Sequence, residues 1–228
     1  MASQALKLAR SIARHLLRPF RPFLDDFLNV VPGVIHVGAS DGQERNLYAR
    51  LGLDVIWVEP IPDVFTRLEQ NIAAYPKQRA IKAVLSEIDG EIISFNVASN
   101  NGESSSLLDF KTHSDDRPDI TTVKQIPMET SSLSTIIREY GINLDRYPAL
   151  VIDVQGAELL VLKGAEGLLT RFRYIKAEAS EGEPYAGCCT PDELIAYLGK
   201  FGFQVRRKVV IFKNDKGARS YDIVFRRR

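Results

Sequence analysis

Short apolar runs alternate with amphipathic helical patterns from Val30 onward, and this alternation limits the folds open to the chain. Strands are predicted over Val30–Val37, Asp54–Val58, Arg79–Leu85, Ala149–Val154 and Tyr174–Ala179. Apolar strands that alternate with helices are typical of a parallel sheet covered by helices on both faces. Two last strands, Gln204–Phe212 and Ser220–Phe225, flank a turn at Asn214–Gly217 and predict an antiparallel hairpin at the sheet edge. The predicted fold class is therefore α/β.

The segments between the strands have the apolar spacing of amphipathic helices. Helices are predicted over Gln43–Leu51, Pro62–Ala74, Ser131–Tyr140, Glu158–Leu169 and Pro191–Phe201. Thr190 and Pro191 are residue types favoured at the N-cap and at the first position of a helix. Gly90–Val97 and Thr121–Met128 predict β structure on either side of the polar stretch Ser99–Asp119.

The composition is that of one large globular domain, since 228 residues leave little room for a second. With 30 Lys and Arg against 29 Asp and Glu, the net charge of +1 argues against nucleic-acid binding by the whole protein. The adjacent Cys188 and Cys189 do not suit a secreted disulfide scaffold. No apolar run reaches the roughly 18 residues of a transmembrane helix, and the N-terminus does not resemble a secretory signal. The expected location is the cytoplasm.

Residues 1–28 differ from the rest and are predicted to form an N-terminal extension to a domain at 29–228. Lys7, Arg10, Arg14 and Arg18 recur at helical spacing opposite an apolar face. One interpretation is peripheral contact of residues 1–21 with anionic lipid at the inner membrane face, or with a partner. The other is a helix that packs on the domain with a solvated basic side.

The first chemical motif is VIHVGASDGQ, in which a buried strand enters a loop holding Gly38 and Gly42. Glycines let a backbone turn sharply and approach a ligand, and the following helix N-terminus favours a carboxylate or phosphate. The spacing excludes a nucleoside-triphosphate loop. Many α/β proteins have such a turn for structural reasons alone, so the motif is weak by itself.

Glu59 strengthens this interpretation because it ends the second predicted strand, in VIWVEP. An acid there is placed to accept hydrogen bonds from both ribose hydroxyls of a nucleoside cofactor. Ser40 stands where a dinucleotide site has its second glycine, and it would crowd a pyrophosphate. A serine is tolerable beside an amino-acid carboxylate, so the motif favours S-adenosylmethionine over NAD.

The third motif is LVIDVQGAELLVLKGAEGLL, where a buried strand delivers Asp153 to the carboxyl edge of the sheet. Ligands of open α/β sheets bind at that edge, and a carboxylate there is poorly explained as core. Gln155 and Glu158 follow, and Glu158 also suits a structural role at a helix N-terminus. Glu178, at the end of the next strand, is a further carboxylate at this edge.

At these residues the chain resembles the FkbM-type family of S-adenosylmethionine-dependent methyltransferases. The resemblance runs from about Val34 to Phe203, and its most specific segment is IDVQGAELLVLKGA. HVGASDGQE, VIWVEP, NNGESSSLL and EGEPYAGC resemble further blocks of the family. The usual pattern has an acid at His36 and a Glu at Gln155, and this chain is similar to a subset that has His and Gln together.

The resemblance implies a Rossmann-like class I methyltransferase fold, with a mostly parallel sheet of seven strands whose last strand is antiparallel. It implies that Glu59 binds the cofactor ribose and that the region Ala83–Ser86 borders the adenine. It also implies O-methylation of a hydroxyl on a sugar, glycan or natural product. The implied cofactor-binding residues are His36, Gly38, Ala39, Ser40, Asp41, Gly42, Glu59, Ala83, Ser86 and Gln155.

Two residues are candidate catalytic bases for a hydroxyl acceptor. Asp153 is anchored by a central strand, whereas His113 lies in the polar stretch and has the ordinary pKa of a base near neutrality. Ionised Asp153 would be a weak base, so it is expected to orient the cofactor or acceptor while His113 takes the proton. No spacing indicates a metal site. The candidate acceptor-binding residues are Ser104, Ser105, Ser106, Glu158, Glu178 and Tyr185.

Two other functions compete with this interpretation. The same fold hosts NAD-dependent oxidoreductases and epimerases, because fold alone does not fix function. A non-catalytic cofactor-binding protein that acts as a membrane adaptor through its basic N-terminus is a different class.

Overall fold

The computed structural model of the protein describes residues 24–228. Its strands are β1 (Gly33–Val37), β2 (Asp54–Val58), β3 (Gln78–Ile81), β4 (Val84–Leu85), β5 (Ile92–Ala98), β6 (Thr122–Ser131), β7 (Ala149–Ile152), β8 (Tyr174–Ser180), β9 (Phe203–Lys213) and β10 (Arg219–Arg227). Its α-helices are α1 (Arg45–Arg50), α2 (Pro62–Ile72), α3 (His113–Asp116), α4 (Leu133–Glu139), α5 (Glu158–Lys163) and α6 (Pro191–Gly199). Short 3-10 helices cover Asp26–Val30 and Glu166–Arg171.

Seven strands form the main sheet, in the order β3-β2-β1-β7-β8-β10-β9. The pairs from β3 through β8 are parallel, whereas β10 runs antiparallel to both of its neighbours. The predicted seven-stranded, mostly parallel sheet with an antiparallel last strand is therefore confirmed. The hairpin lies at the end of the sheet, with β9 outermost.

Each face of the sheet packs against its own helices, because successive strand residues point to opposite faces. Ile35 and Val37 belong to a buried cluster that includes residues of α4, α5 and α6. Val34 and Trp57 belong to a second cluster with residues of α1, α2 and the helix Asp26–Val30. The loops at the carboxyl ends of the strands carry the candidate site.

β4, β6 and β5 form a separate three-stranded sheet in that order. The single predicted strand Arg79–Leu85 is wrong, because the chain leaves the main sheet after Ile81 and Val84 pairs with Thr130. The polar stretch at residues 99–119 connects β5 to β6 and contains the short helix α3.

Several predicted elements are shorter in the structure, and for two of them the physical reason is clear. The predicted helix Glu158–Leu169 is interrupted at Gly164, where a Cβ would lie only 2.2 Å from the carbonyl oxygen of Ser86. The two backbones are thus in contact, and α5 ends there. The first strand begins only at Gly33, because the preceding Pro32 has no N–H to donate to a ladder.

The predicted N-cap of α6 is confirmed. The Thr190 hydroxyl accepts a hydrogen bond from the Glu193 N–H, and the Glu193 carboxylate accepts one from the Thr190 N–H. Such a cap stabilises a helix by roughly 0.5–2 kcal/mol.

Residues 1–21, with their predicted basic helix, lie outside the described residues, and the division at residue 28 stays a prediction. Leu24, Phe27 and Leu28 are buried against the sheet, so chain before residue 29 contributes to the core. Among residues 24–228, no helix is long and apolar enough to cross a membrane.

Candidate active site

The loop after β1 is a tight turn in which Gly38 and Gly42 have φ of 79° and 77°. A Cβ at Gly38 would lie 1.8 Å from the carbonyl oxygen of Asp153, so only glycine lets this loop pass so close to the end of β7. A Cβ at Gly42 would lie 2.8 Å from Leu68 Cδ1, on α2. Ser40 has φ of 47°, which is uncommon for a residue with a side chain.

The carboxylate of Glu59, directly after β2, anchors this loop by accepting hydrogen bonds from backbone N–H groups. Its Oε2 accepts a hydrogen bond from the Ser40 N–H (2.9 Å), and its Oε1 accepts one from the Ile61 N–H (3.0 Å). Glu59 is 4% exposed, and burial raises its pKa to about 7 against the lowering effect of the two N–H donors. A carboxylate oxygen has two lone pairs, so each oxygen retains one for a ribose hydroxyl.

Two further loop residues bear on the cofactor. The Ala39 N–H donates to the Val58 carbonyl (3.1 Å), which fixes the loop over β2. The buried Oδ1 of Asp41 has no hydrogen-bond partner among residues 24–228. A buried acceptor without a partner suits a ligand donor such as the ammonium group of S-adenosylmethionine. The glycine turn, Glu59 and Asp41 therefore fit that cofactor.

The other predicted cofactor residues lie further from the glycine turn. His36 Nδ1 lies 3.0 Å from the Tyr48 hydroxyl, and its ring stacks on Trp57 at 5.0 Å between centroids. Ala83 packs half-buried against the core just after β3. The Ser86 N–H donates to the Ser131 carbonyl (3.0 Å), at the end of the β4–β6 pair in the three-stranded sheet. The contacts of Ala83 and Ser86 with an adenine stay predictions.

Gln155 is the centre of a hydrogen-bond network that joins three parts of the chain. Its Nε2 donates to Asp153 Oδ1 (2.8 Å), and its Oε1 accepts from the Tyr185 hydroxyl (2.9 Å). Its carbonyl accepts from the Ser106 hydroxyl (2.8 Å), and its φ is 56°. The Tyr185 hydroxyl also lies 3.2 Å from the Ser104 carbonyl. Gln155, predicted as a cofactor residue, thus organises the loops around Asp153.

The three consecutive serines are buried and mostly bond within their own loop. Ser105 Oγ accepts from the Ala98 N–H (2.9 Å), and Ser104 Oγ accepts from the Asn100 amide (3.0 Å). With the Ser106 hydroxyl bound to Gln155, all three hydroxyls already have partners in the protein. Among the three, Ser104 alone lines a cavity of about 730 Å³.

Glu158 is 2% exposed at the start of α5, and its Oε1 accepts from the Val154 and Gly156 N–H groups at 3.2 Å each. Burial raises its pKa to about 7, opposed by the backbone donors and assisted by the negative charge of Asp153. Burial, with Glu178 next in importance, also raises the pKa of Tyr185 well above its usual range. Tyr185 is therefore a hydrogen-bond donor at neutral pH.

His113 lies in α3, on the wall next to Tyr185. Its ring stacks on Phe110 at 4.5 Å and lies 5.4 Å from the Tyr185 ring. The backbone N–H of His113 donates to the Pro184 carbonyl (3.2 Å). The residue predicted to lie on a loop is thus held by aromatic packing and by the backbone of the Tyr185 segment.

A cavity of about 730 Å³ brings most of the candidate acceptor residues together. The predicted site residues that line it are His36, Ser104, His113, Asp153, Gln155, Glu158, Glu178 and Tyr185. The glycine turn, Glu59, Ala83 and Ser86 do not line it. The predicted residues thus fall into two groups. One lies in the glycine turn at residues 38–42, the predicted cofactor loop, and the other surrounds this cavity, the predicted acceptor cavity. The two meet where Gly38 contacts Asp153.

The cavity also has a charged wall that the sequence analysis missed. Lys176 Nζ lies 2.8 Å from Asp25 Oδ1 and 3.7 Å from Asp222 Oδ2, and all three side chains are at most 15% exposed. Lys176 and Asp222 each stand between apolar residues of a strand, in YIKA and YDIVF. A charge between apolar strand residues is a signal that could have identified them.

Cys188 and Cys189 line the same cavity as free thiols. Burial raises the pKa of Cys189 to about 12, so its thiol is protonated and a poor nucleophile. No group of three or more His, Cys, Asp or Glu side chains within the described part of the chain could hold a metal ion.

The known proteins to which this chain is similar include methyltransferases. Residues 36–205 match the family model described as the methyltransferase FkbM domain. The chain is 28% identical over 164 residues to the 2-O-methyltransferase NoeI of Sinorhizobium fredii (strain NBRC 101917 / NGR234). That match covers 68% of this chain and 66% of the relative, just under two thirds of its length.

Two solved structures show the fold. Magnesium protoporphyrin IX methyltransferase from Synechocystis PCC 6803 with bound S-adenosylmethionine superimposes with a TM-score of 0.52 at 12% identity, over 95% of this chain and 81% of that one. The same enzyme with bound S-adenosylhomocysteine gives a TM-score of 0.51 at 11% identity, over 95% and 84%. The fold is that of class I methyltransferases.

Proposed function

Because the chain belongs to the FkbM family of S-adenosylmethionine-dependent methyltransferases, we propose that it O-methylates a hydroxyl group of a sugar, glycan or natural-product acceptor. Family membership excludes the NAD-dependent oxidoreductase or epimerase that the sequence alone left open. Transfer to oxygen is supported by the relative NoeI, which is a 2-O-methyltransferase. A hydroxylated acceptor is supported by the carboxylate, imidazole and phenol groups among the residues that line the cavity.

The observation that carries the proposal is the contact between the cofactor loop and the acceptor cavity. The absent Cβ of Gly38 leaves room for the carbonyl of Asp153, and the Asp153 side chain lines the cavity. A cofactor in the loop and an acceptor in the cavity would therefore share this wall. A transfer enzyme needs its two reactants side by side and shielded from water.

The cofactor supplies an electrophilic methyl group when it is bound. Glu59 accepts hydrogen bonds from its ribose hydroxyls, and Asp41 Oδ1 accepts one from its ammonium group. Gly38 and Gly42 give the loop the shape that lets the ligand approach the backbone. Each assignment uses an acceptor or a space that the structure provides at the loop.

The cavity has the size of a small-molecule site, for which about 300–1,000 Å³ is typical. Its carboxylates, Glu178 among them, and its Tyr185 and His113 rings suit an acceptor with several hydroxyls and an apolar face. The neutral Gln155 amide holds Asp153 and Tyr185 in place, so Asp153 can orient the acceptor hydroxyl. His113 would take the proton of that hydroxyl while the hydroxyl oxygen replaces the cofactor sulfur on the methyl carbon, so that S-adenosylhomocysteine would leave as a neutral thioether. An imidazole is a suitable base near neutrality.

The test is transfer of a deuterated methyl group from labelled S-adenosylmethionine to a panel of mono- and oligosaccharides and hydroxylated natural products, followed by mass spectrometry. We expect one labelled methyl ether on at least one acceptor, lost in Asp153→Asn and kept in the surface variant Asp63→Asn. Transfer to nitrogen or carbon acceptors alone would contradict the proposal. Cofactor binding without transfer to any acceptor would favour the non-catalytic adaptor.

A further inference from the structure

Positive charge is concentrated in the C-terminal hairpin of β9 and β10. Residues 203–228 contain nine Lys and Arg and two Asp, a net charge of +7, whereas the whole chain carries only +1. One of the two carboxylates, Asp222, is buried and faces Lys176, so it does not screen the surface. Charge in this protein is therefore segregated rather than balanced.

The cations are arranged along β9, the outermost strand of the main sheet. Arg207 and Lys213 are exposed and form no ion pair within residues 24–228, and Arg226 and Arg228 extend the charge to the end of β10. Lys208 lies over the Tyr221 ring at 4.1 Å, with its side chain exposed. Because strand residues alternate between the two faces of a sheet, these cations project from both faces of the outermost strand, along its whole length.

Large apolar side chains are exposed between these cations. Val205, Val210 and Phe212 are 40%, 45% and 37% exposed on the same strand. Cations interleaved with exposed aliphatic and aromatic groups suit the interface of an anionic bilayer, where the charges meet headgroups and the apolar groups enter the acyl boundary.

The first described residues of the chain lie beside β9. Arg206 on β9 is ion-paired with Asp26 at 2.8 Å, in the first 3-10 helix. The 23 residues before Leu24 contain five Lys and Arg and no acid, so the sequence adds further positive charge where the chain enters. This is the extension for which membrane contact was one of the two predictions.

We propose that the outer edge of the β9–β10 hairpin is a docking surface for an anionic lipid membrane. Pairing of two such edges in a dimer is disfavoured, because it would bring like charges together, and edge cations oppose strand addition. Phe212 and Asn214 also line the acceptor cavity, so docking holds this part of the cavity wall close to the bilayer. Only this last consequence rests on the proposed function.

The test is flotation of the full-length protein with vesicles of phosphatidylcholine, alone or with about one third phosphatidylglycerol. We expect binding only to the anionic vesicles, weakened by high salt. Each cation at such a surface contributes about a fivefold gain in affinity. The affinity of the double variant Arg207→Glu/Lys213→Glu for anionic vesicles should therefore be more than tenfold lower than that of the native protein. The matched control is Arg79→Glu/Lys124→Glu, which makes the same charge change on β3 and β6 and should bind like the native protein.

Equal losses in both double variants would overturn the proposal, since net charge alone would then explain binding. It also fails if deletion of residues 1–21 abolishes binding while the hairpin variant binds normally, or if the hairpin binds RNA or poly-glutamate as tightly as vesicles. Val205→Ser/Val210→Ser should weaken binding at high salt, where the apolar contribution dominates. Flotation requires no methyl transfer, so its failure is distinct from failure of the proposed function.

Discussion

The Gln155 side-chain amide donates a 2.8 Å hydrogen bond to Asp153 Oδ1. The same amide accepts a hydrogen bond from the Tyr185 hydroxyl at 2.9 Å. An ionised Glu at this position could accept from Tyr185 but could not donate to Asp153. The neutral amide therefore holds Asp153 by a donated hydrogen bond and adds no further negative charge to the pair of carboxyl groups Asp153 and Glu158.

Gln155→Glu should lower kcat about 10- to 100-fold near pH 8, because it removes a charge-assisted hydrogen bond and adds repulsion with Asp153. Activity should partly recover at lower pH, where the carboxyl pair retains one proton. The measurement is a pH profile of kcat, with S-adenosylhomocysteine affinity expected to persist. Gln70→Glu, at an exposed position of α2, is the control. A profile parallel to the native one would contradict this role.

Glu59→Gln should weaken S-adenosylhomocysteine binding at least tenfold, because hydrogen bonds to a charged group contribute roughly 1.5–3 kcal/mol each. Calorimetric titration measures the affinity, and a melting curve verifies that the variant folds. Asp63→Asn removes an exposed carboxylate four residues later and should have no effect. Unchanged affinity in Glu59→Gln would remove the ribose assignment.

The stability of the cofactor-free protein should fall as pH rises from about 4.5 to 7. Burial raises the pKa of Glu59 and of Glu158 from 4.5 to about 7, so within this window the folded chain binds more protons than the unfolded chain. Ionisation of each carboxyl in this pH window lowers the free energy of unfolding by on the order of 3 kcal/mol. Melting temperatures from pH 5 to 7.5 check the slope. Glu158→Gln should flatten it, whereas a rise of Tm with pH would show that neither carboxyl has a raised pKa.

Gly38→Ala should prevent folding or lower Tm far more than Gly52→Ala. Both glycines have positive φ (79° and 70°), so both substitutions have a similar backbone cost, roughly 1–2 kcal/mol. Only at Gly38 does the added Cβ meet backbone, the Asp153 carbonyl oxygen at 1.8 Å, whereas nothing lies within 4 Å at Gly52. Thermal melts of the two variants distinguish the steric clash, present only at Gly38, from the backbone cost of a positive φ, which both substitutions share. Equal losses would mean that β1 and β7 can move apart freely.

The sequence predicts most of the main sheet because its strands are continuous apolar runs that need no partner to be recognised. It does not predict the split between β3 and β4, or the interruption of α5 at Gly164. Both depend on contacts between distant segments, such as the approach of Gly164 to Ser86. The apolar periodicity of a segment predicts the secondary structure of that segment, but it does not predict which distant segment packs against it.

The same limit applies to the site. Asp153, Gln155 and Tyr185 were each predicted from local motifs, but the bond between Gln155 and Tyr185 spans 30 residues, and only the fold shows it. The Lys176–Asp25 pair, which spans 151 residues, was missed altogether. Local motifs identify reactive residues, whereas their partners are set by topology.

His113 is the candidate acceptor of the hydroxyl proton. His113→Ala should lower turnover about 10²- to 10⁴-fold with cofactor affinity retained, which is the usual contribution of a general base. Asp153→Asn should lower turnover and also weaken cofactor or acceptor binding, because Asp153 lies where the cavity meets the glycine loop.

Single-turnover kinetics across pH 5–9 distinguish these two roles. Native activity should fall as the pH is lowered below neutrality, because a protonated imidazole cannot accept a proton, and His113→Ala should lack this acidic limb. Phe110→Leu serves as the control, because it removes the ring stacked on His113 at 4.5 Å but leaves the imidazole, so the limb should persist at a reduced rate. If His113→Ala keeps a near-native rate and its acidic limb, the histidine is a bystander and Asp153 is the base.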